Sequence, residues 1–448
     1  MRVAVVGGGI SGLTAGYALA SRGVDVVVVD DGAAPGGLIG SARRDGFLCE
    51  RGPQAVLDGS EPTRALIASV GLAERVQTAS AASRRRFVFV NGALRPFPAS
   101  PPALLSTNLF SLAGKLRLLR EPFVGERRDQ GGDQRGEDVR EDESVLEFVT
   151  RRFGREAAER AAAPAVIGVY AGDAAALSVR AALPRLAAME SEHGSVLRAL
   201  FKQRGASTLG RPISFPEGLA ELPAAIAARL GPRCIRGRAT SMRWAETAWR
   251  VALAGGGAID AERIVLATPA ETTSALLEPY APEVVEALRT IVFAPVAVVC
   301  IGFKSAEGLG VDLDTYGFVV ARGERVRVLG CQYESSVFPG RAPEGGVLLR
   351  ALIGGTFDPG IVDSEDAVIW EQVVADLRRV ARLRREPDFV DVWRARPGIP
   401  QYDLAHRARI RTVDEAIAKL SGVTVIGNTL RGVGVNDCIR TAAMNIVA

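Results

Sequence analysis

The chain has 448 residues, 48% of them hydrophobic and 24% charged, with a formal net charge of +4. That length outruns a single hydrophobic core and implies two or three domains, and the composition excludes a disordered chain or a repeat fibre. The small net charge argues against nucleic acid as a partner, and five scattered cysteines (49, 234, 300, 331 and 438) with no C-x-x-C pair argue against a disulfide framework or a zinc site.

A strand is expected at Val3–Val6, with no basic or apolar leader before it, which points to a cytoplasmic protein. A glycine turn, the helical "LTAGYALASRG" and the strand "VDVVVVD" complete a βαβ unit. Gly7, Gly9 and Gly12 stand as G-x-G-x-x-G between strand and helix. In such a turn the first glycine permits the bend, the second lets backbone approach a pyrophosphate, and the third lets helix pack on strand. Asp30 ends the second strand, eighteen residues after Gly12, where a carboxylate can accept the ribose hydroxyls of an adenosine. Gly36 and Gly37 offer a second place of close approach, where a larger cofactor continues past its pyrophosphate.

Further along, Pro98 to Leu119 mixes prolines and leucines with Lys115 and Arg117. It reads either as a surface helix packed on its own domain or as a peripheral membrane contact. Gly125 to Asp142 is polar and charged and is expected to be a mobile loop; Glu143 to Arg204 is mainly helical, interrupted near Gly168 to Ala174. An amphipathic helix at Glu217–Gly231 and a buried strand in Ala261–Ala270 return the chain to an α/β layer, and β-rich runs between Val296 and Ile353 suggest a mixed sheet. The longest uncharged apolar run, Ile291–Phe303, is too short to span a bilayer. A last buried strand, Val423–Asn428, precedes the glycine loop "GNTLRGVGVNDCI", which reads as a helix N-cap through Asn436 or Asp437, as a cofactor contact, or as both. His193 and His406, the only histidines, have no acid or cysteine at metal-ligand spacing and are read as structural.

The acid at position 30 followed by the Gly36-Gly37 pair resembles the flavin-containing amine oxidoreductase superfamily, as do "ERIVLATPA" and the C-terminal glycine loop. The resemblance implies an α/β fold with three parts. These are a Rossmann-like FAD-binding domain (1–80, 206–285 and 386–448), a mixed-sheet substrate domain (81–97 and 286–385), and a helical insertion (98–205) able to meet a membrane. It implies FAD as cofactor, contacted by Gly7, Gly8, Gly9, Ile10, Ser11, Gly12, Asp30, Asp31, Gly36, Gly37, Ala239, Val433, Gly434 and Val435, with the last loop at the isoalloxazine end. The sequence departs from the pattern at Ala34, where relatives usually carry an arginine near the phosphates.

Four further stretches, "RRFVFVNGALRPFPASP", "GVYAGDAAALS", "YGFVV" and "PGIPQYDLAH", resemble the protoporphyrinogen oxidases within that superfamily. This implies oxidation of protoporphyrinogen IX to protoporphyrin IX, six electrons in three rounds, with molecular oxygen as acceptor and no catalytic side chain. Arg86 is implied to pair with a propionate, a role that suits the two parallel hydrogen bonds of a guanidinium. Tyr316 and Leu352 would form walls, and Gly168 would let backbone approach the macrocycle. Relatives usually have phenylalanine at position 316, so the tyrosine hydroxyl needs a partner if buried. Trp393 stands two residues before Ala395, the position at which many relatives carry tryptophan. The alternative substrate is coproporphyrinogen III, whose four propionates would need further cations at the pocket mouth, Arg95 and Arg350 being candidates. Another flavin amine oxidase, a desaturase, or a flavin protein kept for assembly or sensing are the more distant readings. The oligomeric state stays open, a homodimer included.

Overall fold

The computed structural model describes residues 1–98, 101–125, 142–202 and 210–445. The loop expected at Gly125–Asp142 lies outside the described residues over 126–141.

The first strand, Arg2–Val6, is an unbroken apolar run after its first residue because it is buried on both faces. It is the centre of a five-stranded parallel sheet in the order Cys234–Arg236, Asp25–Asp30, Arg2–Val6, Arg263–Leu266, Val423–Val425. Helices Ile10–Ala20, Glu221–Leu230 and Val435–Asn445 cover one face, with Leu13, Ile226 and Ile439 packed on Val3, Val5 and Val28. Helices Ala270–Leu277 and Pro282–Arg289 cover the other, together with an antiparallel meander of Ala239–Ala245, Ala248–Leu253 and Ala258–Ala261. No element was expected over this meander. Its signal is the burial of alternate residues, Trp249 and Val251, and a turn in which Gly255, Gly256 and Gly257 all take positive φ.

A second, seven-stranded sheet runs Phe389–Pro400, Phe293–Phe303, Val347–Gly354, Val328–Gln332, Gly317–Val320, Arg86–Val90, Ala93–Pro96. Its pairings are antiparallel except that Gly317–Val320 lies parallel to Arg86–Val90. Residues 389–400, expected with the cofactor-binding part, are its outer strand, because Phe389–Pro400 pairs along the whole of Phe293–Phe303. Helix Asp366–Ala381 seals one face, setting Ile369, Val373 and Leu377 against Val299, Ile301, Leu349 and Ile353. The opposite face meets the hairpin Ser41–Arg44/Phe47–Glu50 and the helix Ala163–Tyr170.

The helical part includes Leu112–Leu119, Val145–Phe153, Ala163–Tyr170, Pro184–His193 and Val196–Lys202. Wholly buried Arg152 ties it together: it pairs with Glu121 at 3.4 Å and Glu190 at 3.0 Å and donates to the carbonyls of Val124 and Gly194. The interruption expected from Gly168 begins later. The helix runs through Gly168 to Tyr170 and stops at Ala171, whose φ of 48° is left-handed. Among the described residues no helix is long and apolar enough to cross a membrane.

Candidate functional site

The glycine turn after the first strand is built on contacts that exclude side chains. A Cβ on Gly7, which has φ +110°, would lie 2.5 Å from the Ala267 carbonyl oxygen, and one on Gly12 would lie 1.9 Å from that of Gly7. Gly9 is different: it heads the helix Ile10–Ala20 with no side-chain cap, and a Cβ there would meet nothing within 4 Å. Its open side, next to uncapped helical N–H groups, is the arrangement that receives a phosphate. Asp30 accepts from the Gly8 and Gly32 N–H groups at 2.5 and 2.9 Å, so its carboxylate is fixed before any ribose arrives. Gly36 donates to the Gly8 carbonyl at 2.9 Å, and Gly37, with φ +62°, lies so close that a Cβ would be 3.2 Å from the Gly9 α-carbon. The second glycine pair therefore backs directly onto the first.

Asp31 is exposed and pairs with Arg238 at 3.8 Å; Ala239, at the start of the meander, follows Gly237, which donates to the Asp30 carbonyl at 2.9 Å. At the other end of the chain, Cys438 in helix Val435–Asn445 donates to the Gly432 carbonyl and lies beside Ser11, while Ile10, Leu13, Val435 and Ile439 share one cluster. The two glycine loops are neighbours in space. Val435 faces that cluster, whereas Val433 packs beside Tyr170, Tyr402 and Ile399, so the loop spans from the parallel sheet to the mixed one; Gly434 between them is exposed. Asn436 does not cap this helix. Its amide donates to the Leu57 carbonyl at 2.9 Å and its oxygen accepts from Thr63.

The Tyr-Ala-Gly-Asp and Pro-Gln-Tyr blocks pack on one another. Gln401 donates to the Tyr170 carbonyl at 2.9 Å, and Tyr402 donates to the Asn428 carbonyl. His406 stacks on Tyr402 with centroids 4.0 Å apart, and its Nε2 bonds the Leu430 carbonyl at 2.9 Å, which makes it the donor there. The histidine thus holds the segment entering the last glycine loop, as its structural reading implies.

On the face of the mixed sheet that meets the hairpin and the helix Ala163–Tyr170, register fixes two adjacent rows. One is polar: Asp391, Cys300, Arg350, Gln332, Gly317 and Arg86 lie opposite one another across successive strands. The next is apolar: Trp393, Val298, Leu352, Gly330, Val319 and Val88. Gly168 packs onto this second row, a Cβ there falling 3.2 Å from Val319 Cγ1. Arg86 is exposed, and its guanidinium lies 4.6 Å above the Tyr316 ring. All four residues expected to hold substrate therefore gather at one face. Arg350 does not stand at a pocket mouth. It is buried, donating to the carbonyls of Glu50 and Gly52 at 2.9 and 2.5 Å and to Gln332 at 2.5 Å, because it neutralises Glu334 3.9 Å away. Sequence reasoning missed Glu50, Gln54, Gln332, Glu334 and Arg341, which form this network; the one local signal was Glu50 at the end of the apolar strand Phe47–Glu50.

The family model "Flavin containing amine oxidoreductase" matches residues 10–444. The chain belongs to this family. As a flavin-containing amine oxidoreductase it uses FAD, and the turn fits such a cofactor: Gly9 is open, the helix start is uncapped, and Asp30 is already oriented. The chain is 33% identical to the chloroplastic protoporphyrinogen oxidase of Oryza sativa, covering 98% of this chain and 86% of that one. It is 28% identical to the coproporphyrinogen III oxidase of Bacillus subtilis over 98% and 95% of the two chains. A solved structure from Exiguobacterium sp. 255-15 superposes with a TM-score of 0.83 at 25% identity, over 100% and 98% of the chains. The fold alone is shared with reduced UDP-galactopyranose mutase, at a TM-score of 0.74 and 15% identity.

Two glycines separate folding from cofactor binding. Gly12→Ala is expected to destabilise the apoprotein by about 1–3 kcal/mol through overlap with the Gly7 carbonyl. Gly9→Ala is expected to leave the apoprotein melting temperature unchanged and to weaken flavin retention about tenfold, read by flavin titration.

Burial also sets two opposing pH dependences. It pushes the Glu50 carboxyl up to about 7 against the pull of Arg341, and pushes His406 down to about 4. Between pH 4.5 and 7 the unfolded chain releases the Glu50 proton that the folded chain keeps, so stability falls as pH rises. Between 6.5 and 4 the unfolded chain binds a proton at His406 that the folded chain refuses, so stability falls as pH drops. Glu50→Gln removes the first slope, and stability should then climb more steeply with pH from about 4.5 to 6.5 than in the wild type, read from urea midpoints.

Proposed function

We propose that this enzyme oxidises protoporphyrinogen IX to protoporphyrin IX. The observation that carries the reading is an apolar row on the mixed sheet, through the half-buried Leu352 and Val319, with exposed Arg86 one row over at its end. A porphyrinogen is a broad apolar ring edged by propionates, and such a wall with a guanidinium beside it matches that distribution. Among the described residues Arg86 makes no ion pair, so its fork is available to a carboxylate; Arg350, saturated inside the network, is not. This difference favours a dicarboxylate over the four propionates of coproporphyrinogen III. The length of the Bacillus subtilis relative matched keeps that substrate as the second reading.

On this reading the chain divides its labour: 1–80, 206–285 and 401–448 hold FAD, 81–97 and 286–400 hold substrate, and 98–205 form the helical part. Bound FAD supplies the acceptor for the hydride leaving a methylene bridge. The protein's own part is to seat the ring between Gly168, Leu352 and Tyr316, hold a propionate at Arg86, and keep water away from the reacting carbon. No side chain is assigned as a base; the pyrrole N–H proton leaves as conjugation forms. Three rounds remove six electrons, consuming three molecules of oxygen and producing three of hydrogen peroxide.

We also propose a peripheral lipid contact. Leu112, Leu116, Leu119 and Phe123 are 76%, 55%, 57% and 86% exposed and recur at helical spacing, with exposed Arg120 beside them. Arg117, expected to join them, is turned inward to the carbonyls of Arg151 and Arg152.

Anaerobic bleaching of the flavin on adding protoporphyrinogen IX or coproporphyrinogen III in parallel tests the main reading. Faster bleaching by the dicarboxylate is expected; bleaching by neither sinks it. Arg86→Ala should raise KM about tenfold with little change in kcat, and an unchanged KM removes Arg86 from the site. Sedimentation with anionic vesicles should carry the protein down, and L116E/F123E should leave it in the supernatant.

A further inference from the structure

The site as described gives Arg86 a substrate to hold but not a reason to stay in place. An arginine on the surface loses much rotamer freedom on ordering. Among the described residues, its side chain's only direct hydrogen bond is one of 3.4 Å from Nε to the Ser83 carbonyl. What orders it is the Tyr316 ring beneath the guanidinium, at 4.6 Å.

Tyr316 is itself unusually well fixed. Its backbone N–H donates to the Arg85 carbonyl at 2.8 Å, and its carbonyl accepts from Tyr333 at 2.9 Å. Its hydroxyl lies between two glutamines. In the amide orientation that satisfies every group, Gln54 accepts from the hydroxyl at 2.6 Å and donates to Glu334 at 2.8 Å. Gln332 donates to the same hydroxyl at 3.3 Å, while its oxygen accepts from Arg350 at 2.5 Å. Glu334 and Arg350 are buried and 3.9 Å apart. Each amide is thus pinned by one member of a buried ion pair. A phenylalanine would offer the same ring to Arg86 and none of this anchorage.

We propose that Tyr316 is a positioning residue for Arg86: its ring carries the guanidinium, and its hydroxyl, tied through Gln54 and Gln332 to Glu334 and Arg350, holds that ring so that Arg86 reads a substrate carboxylate. This rests on the reading of the sheet face as the porphyrinogen wall. It adds that acid recognition at Arg86 is set from beneath, by a hydroxyl that does not touch substrate.

The test uses holoenzyme and equilibrium binding of protoporphyrin IX and its dimethyl ester, followed by fluorescence, in the wild type, Tyr316→Phe, Arg86→Ala and the double variant. The wild type should prefer the acid to the ester. Y316F should lower that preference about fivefold, the scale of one hydrogen bond. R86A should abolish it, and Y316F should change nothing further in the R86A background, because the two residues act as one unit. Arg86→Lys keeps the charge but not the flat face, and should lose preference as Y316F does; it serves if Y316F does not fold. An unchanged preference in Y316F, an equal fall in both backgrounds, or a wild type indifferent to the acid overturns the proposal. A wild type that prefers the acid but oxidises neither porphyrinogen sinks the reading of the reaction and leaves this inference standing.

Discussion

A carbonyl oxygen and an α-carbon too close for any side chain set the geometry of this protein. Gly12 faces the Gly7 carbonyl at a distance where a Cβ would sit at 1.9 Å, and the helix can start where it does only because nothing stands between them. Everything that approaches the turn inherits the same constraint. Ala267 comes in against Gly7, Asp30 against Gly8, Gly37 against Gly9, and Cys438 against Ser11. Four segments that the sequence scatters from position 30 to position 438 are brought to one loop of backbone, and the cofactor cleft is what their convergence leaves open.

The mixed sheet obeys a different rule. Its register places a polar row beside an apolar one on a single face, and each row crosses several strands from different parts of the chain. Burying Glu50, Glu334, Arg341 and Arg350 beneath that face is costly unless each charge finds partners. Most do: Glu50 accepts from Ser41 and from the Leu219 N–H and pairs with Arg341 at 3.3 Å. Such a network is rigid, since moving one member leaves the others unsatisfied. On the proposed reading, that rigidity is what holds a broad, flexible ring in one orientation.

Local order was legible where it is written locally. The glycine turn, Asp30 and the Gly36-Gly37 pair could be read from spacing, since sterics at each glycine act within a few residues or across one strand. The meander at 239–261 escaped because clean alternation is confined to its second and third strands, at Trp249, Val251, Ile259 and Ala261. Residues 389–400 were grouped with the cofactor-binding part, and their pairing with Phe293–Phe303 was not legible because an edge strand's partner is not encoded in its own pattern. Arg86, Gly168, Tyr316 and Leu352 were reached by resemblance, and the neighbouring rows that hold Arg86 and Leu352 follow from register, which a single sequence does not display. Arg350 and the carboxylates around it could not be placed, because burial of a charge depends on partners supplied by other strands.

The order of the parallel sheet has a consequence for how the molecule is made. The first strand leaves the ribosome with Asp25–Asp30 close behind, but its other neighbour, Arg263–Leu266, follows only after the mixed-sheet strand Arg86–Val90 and the whole helical part. At about 5–20 residues per second that is a wait of roughly 10–50 s with an apolar edge unpaired. The helix that docks beside Ile10 and Leu13 is later still, being Val435–Asn445. The edge of the first strand is thus closed from the middle of the chain, whereas the face that Ile10 and Leu13 present is covered from its far end.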